Sequence, residues 1–150
     1  MTIAIIPGIT PDHLAQVYAH PQMQRTGHDF RSAAPVLSSA ALYLSAFVRD
    51  EFAGAALLVK TCAHEIEVHS LIFPEFVRWS REIWKRVIRW TFEDPAIQRL
   101  TAQIPEDLPT VRNLAKRCGF SDEGFKRRAI QRGGIWMGLY ILGVTAQEVI

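Results

Sequence analysis

Cysteine is scarce in this sequence and its charges nearly balance. The 150 residues include two cysteines, Cys62 and Cys118, and the formal net charge of the chain is +2. Two widely spaced cysteines argue against a disulfide framework and are typical of a reducing compartment. The sequence contains no apolar run long enough to span a bilayer, and its first residues have no basic start before Pro7 and Gly8. We therefore expect a cytoplasmic protein without a signal peptide or a membrane partner.

Hydrophobic residues, by contrast, are plentiful. They make up 49% of the chain, enough to form the core of one domain spanning residues 1–150. Between Glu75 and Arg132 there are 13 Lys or Arg and 8 Asp or Glu, whereas the remainder has 4 and 7. This distribution favours an anionic ligand or partner in the second half, although a solvated basic surface would have the same composition.

The stretch from Glu65 to Asp94 organises the rest of the chain. The strand-like HEIEVHSLIF is followed by the basic aromatic loop PEFVRWSR and by the helix-like EIWKRVIRWTFED. The first N–H groups of a helix have no partner within it, and the helix dipole favours negative charge there. Arg78 and Arg81 in the loop would add charge-assisted hydrogen bonds. The pattern therefore predicts an anion site at this strand-to-helix turn.

The remaining elements follow from hydrophobic period and turn residues. Before the organising stretch, the sequence predicts a strand (Thr2 to Ile6), a helix capped by Thr10 and ending near Ala19, an irregular segment (His20 to Pro35), and strands Leu42 to Val48 and Ala55 to Cys62 around a turn at Asp50, Glu51 and Gly54. A further strand, Glu65 to Phe73, opens the stretch itself.

The second half alternates helices with strands. Pro95 is expected to stop the long helix, whose buried face carries Ile83, Val87 and Trp90. A strand from Ile97 to Ile104 follows, reached by a parallel crossover. The next helix is expected to be capped by Asp107 and ended by Gly119, with a buried face of Val111, Leu114, Ala115 and Cys118. Two closing strands, Gly124 to Ile130 and Ile135 to Leu142, flank the turn Arg132-Gly133-Gly134. This order predicts an α/β or α+β domain.

The order, read with two motifs, resembles the GNAT superfamily of N-acetyltransferases. One motif is LIFPEF leading into a basic loop and a long helix, and the other is NLAKRCGF followed by an antiparallel hairpin. The resemblance covers nearly the whole chain. It implies a mixed, mostly antiparallel sheet of about six to seven strands flanked by helices.

The same resemblance implies a cofactor, acetyl-CoA, and an amine acceptor, without a metal. It implies that strand-edge backbone groups of Leu71, Ile72 and Phe73 pair with the pantetheine chain. It also implies a phosphate-binding turn made of Arg78, Trp79, Ser80 and Arg81.

The sequence departs from the family pattern at two places. The run Phe76 to Lys85 contains no glycine, so side chains such as that of Trp79 would crowd a phosphate. The position at which the family has a tyrosine acid falls on Ala115, and the family's asparagine near the start of that helix is missing, a role we do not assign to Asn113. Motifs that lack these family residues resemble those of the GNAT-like proteins of tailed bacteriophages. The alternative function is therefore a non-catalytic virion, head-assembly or host-interaction protein, located in the host cytoplasm or the virion with other virion proteins as partners.

Acetyl transfer to an amine needs a base and donors for the developing oxyanion. Glu65, Glu67 and His69 alternate along one strand and so share one face. We predict Glu67 and His69 as the catalytic residues, acting directly or through a water; a solvent-facing edge is the alternative. Tyr43 and Tyr140 lie on predicted strands, where each could be a core residue or could replace the missing tyrosine acid.

The remaining cysteine, histidine and basic residues give weaker functional predictions. Cys62, His64 and His69 lack the paired spacing of a metal site. Lys126, Arg127 and Arg128 form a basic run without a nucleic-acid-binding motif, which favours a solvated strand end over a nucleic-acid partner. Cys118 resembles a small core hydrophobe more than a nucleophile.

Overall fold

The computed structural model describes residues 2–21 and 37–149. Within them the chain forms seven strands: β1 (Ile3–Pro7), β2 (Ala41–Val48), β3 (Glu51–Cys62), β4 (Glu65–Ile72), β5 (Arg99–Pro105), β6 (Ser121–Arg132) and β7 (Ile135–Thr145). Three α-helices, α1 (Pro11–Ala19), α2 (Ser80–Thr91) and α3 (Pro109–Arg117), and two 3-10 helices, Pro74–Trp79 and Ala146–Glu148, complete the described elements. The predicted irregular segment His20 to Pro35 lies almost wholly outside the described residues.

The seven strands form one mixed sheet in the order β1-β2-β3-β4-β5-β7-β6. Every neighbouring pair is antiparallel except β4 and β5, which α2 connects as a parallel crossover. The predicted fold class, a mostly antiparallel sheet of six to seven strands flanked by helices, is confirmed.

Apolar side chains cover both faces of the sheet, because successive residues of a strand point to opposite sides. On one face α2 and α3 pack over the larger cluster, which includes Ile83, Val87 and Leu100. On the other face α1 packs over a smaller cluster that includes Val17, Tyr43 and Leu57. The two faces of β4 therefore look into different environments.

Two predicted helix ends are confirmed. The Thr10 side chain accepts a hydrogen bond from the His13 N–H at 3.2 Å, which satisfies one free donor at the start of α1. Gly119 follows α3 with a φ of 106°, a left-handed conformation that glycine adopts without steric cost.

Four local predictions are wrong. Asp107 does not cap α3; Leu108 occupies that position because Pro109 begins the helix, and the Asp107 carboxylate pairs with Arg132 instead. Val111 is exposed, and α3 contributes only half-buried residues to the core.

The other two errors concern a turn and a helix end. Gly54 lies inside β3 and not in the β2–β3 turn, which consists of Arg49 and Asp50. The long helix ends at Thr91, before Pro95 is reached, and Trp90 lies at the margin of its buried face.

Candidate active site

The parallel strands β4 and β5 separate soon after they meet. Their register contains three pairs, Glu65 with Arg99, Ile66 with Leu100 and Glu67 with Thr101. Beyond these pairs β4 continues five residues to Ile72 and β5 four residues to Pro105. Within the described part of the chain, no residue of β5 pairs with residues 68–72. One edge of β4 is therefore open along most of its length, and the gap between the strands widens toward the start of α2.

A polar network joins β4 and β5 along their paired segment. The Glu65 carboxylate accepts hydrogen bonds from Thr61 Oγ1 at 2.7 Å and from Thr101 Oγ1 at 2.8 Å, and Arg99 Nε lies 3.0 Å from it. Arg99 also pairs with Glu123 on β6. The Thr61 and Thr101 hydroxyls, helped by Arg99, lower the pKa of Glu65, although partial burial opposes the shift. Glu65 thus holds β4 and β5 together, and these contacts commit its carboxylate to a structural role.

The two predicted catalytic residues lie together where β4 and β5 separate, after the pair Glu67 and Thr101, a point that we call the apex. Glu67 is the last residue of β4 that pairs with β5, and His69 follows on the same face. The distance from His69 Nε2 to Glu67 Oε1 is 3.3 Å, and both side chains are partly exposed, at 31% and 20%. The face they share is the one over which α1 packs, opposite α2 and α3. A carboxylate and an imidazole in contact at a solvent-accessible apex can accept and pass a proton.

The predicted strand-edge residues Leu71, Ile72 and Phe73 are anchored by their side chains. Leu71 and Phe73 are buried in the smaller cluster, and Ile72 packs on the larger one. Their side chains are therefore committed to packing, and the open edge offers backbone groups. Gly54 lies opposite Ile72 at a φ of 122°, and a Cβ there would stand 2.2 Å from the Leu71 carbonyl oxygen.

A hydrogen bond that no sequence pattern predicts links the open edge to α2. Trp84 Nε1 donates to Ser70 Oγ at 3.0 Å, and Trp84 is 6% exposed. Ser70 lies in the part of β4 that has left β5, so this bond fixes the distance between the strand edge and the helix.

The predicted phosphate-binding turn is helical throughout. The 3-10 helix Pro74–Trp79 runs directly into α2, and the Ser80 N–H donates to the Val77 carbonyl. Arg78 is exposed, with its guanidinium 4.8 Å from the centre of the Trp79 ring, while Ser80 is buried. Trp79 is half-buried between Phe76 and Arg49, whose guanidinium lies 5.9 Å from its ring centre. The indole therefore packs toward the β2–β3 turn.

Arg81, the last predicted residue of the turn, lies in the first turn of α2 and is exposed. Burial raises the pKa of Cys118, at the end of α3, and Arg81, Lys85 and Arg117 act against that rise.

The positions considered for a general acid are each engaged in packing or in a polar contact. Ala115 packs on the larger cluster and has no proton to give. The Tyr43 hydroxyl lies 3.0 Å from that of Tyr18, beneath α1. Tyr140 pairs with Ile104 in the part of β5 that has separated from β4, and the Arg112 guanidinium lies 4.0 Å from the Tyr140 ring centre.

The described residues offer neither a cluster of metal ligands nor a membrane-spanning helix. Within residues 2–21 and 37–149, His, Cys, Asp and Glu side chains form no group of three that could hold a metal ion. None of the helices in those ranges is both long enough and apolar enough to cross a membrane.

Comparison with known proteins identifies the fold. Neither a protein-family model nor a curated protein matches the sequence. Among solved structures, a spermidine N-acetyltransferase from Vibrio cholerae in complex with CoA and spermine is similar, with a TM-score of 0.83, 12% identity, and coverage of 98% of this chain and 97% of that one. A chimera of the Vibrio cholerae enzyme SpeG with hSSAT has a TM-score of 0.80 at 14% identity, with 99% of both chains covered. The chain therefore has the GNAT fold.

Proposed function

We propose that this protein transfers an acetyl group from acetyl-CoA to an amine. The observation that carries the proposal is the early separation of β4 from β5, which leaves an open strand edge ending at a carboxylate and an imidazole. The fold, shared with an acetyltransferase that was solved with CoA and spermine, supports the same assignment.

The open edge of β4 would bind the thioester. Backbone N–H and C=O groups along residues 68–72 can pair with the amide groups of pantetheine as an added strand would, and Leu71, Ile72 and Phe73 hold that edge in place from both faces. The predicted turn of Arg78, Trp79, Ser80 and Arg81 follows at the open end of the gap, where the phosphates would lie. Acetyl-CoA would supply the activated carbonyl.

Glu67 and His69 would remove the proton from the amine. Their 3.3 Å contact lets the carboxylate orient the imidazole and share the proton taken from the acceptor. Both side chains are partly exposed on the face opposite α2 and α3, so an amine can approach from that side while the thioester lies between the strands. Because Ala115 cannot protonate the leaving thiolate, we propose that water does so; a thiol has an ordinary pKa of about 8.5, so its thiolate is a tolerable leaving group.

The test combines binding with turnover. Calorimetry with acetyl-CoA should give saturable binding, and acetylation of a polyamine such as spermine should be measurable as thiol release. Glu67→Gln and His69→Ala should each lower kcat by about 100-fold or more while leaving CoA affinity unchanged. Glu93→Gln and His64→Ala make the same chemical changes at exposed sites away from the apex and should keep wild-type rates. Undiminished turnover in the Glu67 and His69 variants would remove both residues from the catalytic step; no binding of acetyl-CoA would end the proposal.

A second candidate is a non-catalytic virion, head-assembly or host-interaction protein that uses this fold as a binding module. It is favoured by exposed apolar side chains on the β6–β7 hairpin, namely Phe125 (44%), Ile135 (66%) and Trp136 (45%). Because β7 pairs with β5 only as far as Leu139, the end of the hairpin extends past the sheet. This candidate requires a stable complex with virion proteins that Ile135→Ser with Trp136→Ser abolishes, in a protein that does not bind CoA.

A further inference from the structure

The part of β5 that has separated from β4 presents a polar side chain that the proposed function has not yet used. Alternate residues of β5 belong to the larger cluster, so Thr101 and Gln103 point to the opposite face of the sheet. The Thr101 hydroxyl donates to Glu65, which places Gln103 on the same face as Glu67 and His69. Because Gln103 follows the last residue of β5 that pairs with β4, it lies across the gap from His69.

Lys126 reaches this face from the edge strand of the sheet. It pairs with Leu139 of β7, and its Nζ lies 3.4 Å from Gln103 Oε1. Since β7 lies between β6 and β5, the Lys126 side chain extends over β7 to reach Gln103. Lys126 is exposed and Gln103 is half-buried. A molecule in the gap can therefore reach the ammonium group.

The Lys126 ammonium has a neutral partner, whereas nearby carboxylates on this face are bound to another cation. Arg99 binds both Glu65 and Glu123. Within residues 2–21 and 37–149, the contact of Lys126 is the amide oxygen of Gln103, and no carboxylate forms an ion pair with it. An ammonium group has more N–H donors than one amide oxygen can accept. Lys126 therefore keeps donors and a positive charge for an anionic group of a ligand.

The two walls of the gap differ in charge. The Glu67 carboxylate lies 3.3 Å from His69 on the β4 side, and Lys126 lies with Gln103 on the β5 side. An alkyl amine is protonated at neutral pH, as a lysine side chain is, so it is attracted to Glu67 before it loses its proton. A second ammonium group on the same molecule would be repelled by Lys126, whereas an anionic group would be attracted.

The separation of the two walls sets the spacing of the two groups on the acceptor. Neighbouring strands lie about 4.8 Å apart and a strand rises about 3.3 Å per residue, so the Cα atoms of Glu67 and Gln103 lie roughly 8 Å apart. An amine at Glu67 and an anionic group at Lys126 are therefore separated by several bonds.

We propose that Lys126 and Gln103 select an acceptor that carries a carboxylate several bonds away from its amine. This inference rests on the proposed function and names the class of its acceptor. One ammonium group complements the single charge of a carboxylate better than the double charge of a phosphate. Because Lys126 is exposed, its attraction to the carboxylate is screened by salt and changes the rate only a few-fold.

Acceptors of matched length test this proposal. γ-Aminobutyrate, butylamine and putrescine share one amine and differ at the other end, which carries a carboxylate, a methyl group or a second amine. In a thiol-release assay at low salt, kcat/KM should be about fivefold higher for γ-aminobutyrate than for butylamine and lower again for putrescine, and high salt should reduce these differences. β-Alanine and ε-aminocaproate, compared with propylamine and hexylamine, repeat the measurement at shorter and longer spacing.

Variants of Lys126 connect the preference to this side chain. Lys126→Gln should abolish the preference for the carboxylate and leave kcat/KM for butylamine unchanged, whereas Lys126→Arg should keep most of the preference. Lys126→Glu should reverse it, so that putrescine becomes a better acceptor than γ-aminobutyrate. Lys60→Gln removes the same charge from an exposed position on β3 and should keep the wild-type preference.

The outcomes separate this inference from the proposed function. Wild-type protein that acetylates the simple amines and diamines at least as well as every amino carboxylate would overturn the acceptor class and leave the enzyme assignment intact. An unchanged preference in Lys126→Gln would overturn the role of this residue in the same way. Wild-type protein that does not bind acetyl-CoA would overturn both the inference and the proposed function.

Discussion

The bond from Trp84 to Ser70 offers a sharp test of how the open strand edge is held. Trp84→Phe keeps an aromatic ring at a position that is 6% exposed and removes the N–H that donates to Ser70 Oγ at 3.0 Å. One neutral hydrogen bond contributes about 1 kcal/mol, and the smaller ring leaves space in the core that costs about 1 kcal/mol more. We therefore expect Trp84→Phe to lower the free energy of unfolding by about 2 kcal/mol and Ser70→Ala to lower it by about 1 kcal/mol.

The pair is best measured as a double-mutant cycle by urea unfolding. If the bond accounts for the shared part of both effects, the double variant should lose about 2 kcal/mol, and not the sum of about 3 kcal/mol, which gives a coupling of about 1 kcal/mol. Trp90→Phe serves as the control, since it removes an indole from the same helix at a half-buried position. Additive losses in the cycle would refute the role of this bond, whatever the stability of the single variants.

Three further predictions concern the same region. Gly54→Ala should lower the free energy of unfolding by about 2–4 kcal/mol, because its φ is 122° and its Cβ would meet the Leu71 carbonyl; a loss below about 1 kcal/mol in urea unfolding would contradict this geometry. Glu65→Gln should be less stable than wild type at neutral pH, and because the pKa of Glu65 is lowered on folding, this difference should persist above the ordinary pKa of about 4.3 and disappear as pH falls through the folded value. A difference that stays constant from neutral pH to pH of about 3 would argue against an ionised Glu65 beside Thr61, Thr101 and Arg99. Trp84→Phe should also weaken CoA binding a few-fold in calorimetry, since it frees the strand edge from α2; unchanged affinity would show that the edge keeps its position without this bond.

Several features of the fold could be predicted from the sequence because they depend on local chemistry. The Thr10 cap, the left-handed Gly119 and the Gly133-Gly134 turn each follow from what one residue type can do at one position. The alternation of Glu67 and His69 also placed them on one face of β4, where the structure brings them into contact.

The errors have a common cause, which is competition from residues distant in sequence. Asp107 has the chemistry of a cap, but Arg132 engages its carboxylate across the fold. Gly54 suits a turn, but β3 needs it where the end of β4 approaches closely. The Trp84–Ser70 bond depends on how a helix packs on a strand, which no spacing rule reveals.

The three register pairs between β4 and β5 divide the sheet into two unequal parts, one of four strands and one of three. A molecule lying in the gap would touch both parts at once and would add contacts where the protein's own strand pairing stops. Such a molecule should make the two parts unfold more nearly as one unit, and it should slow hydrogen exchange in strands it does not touch.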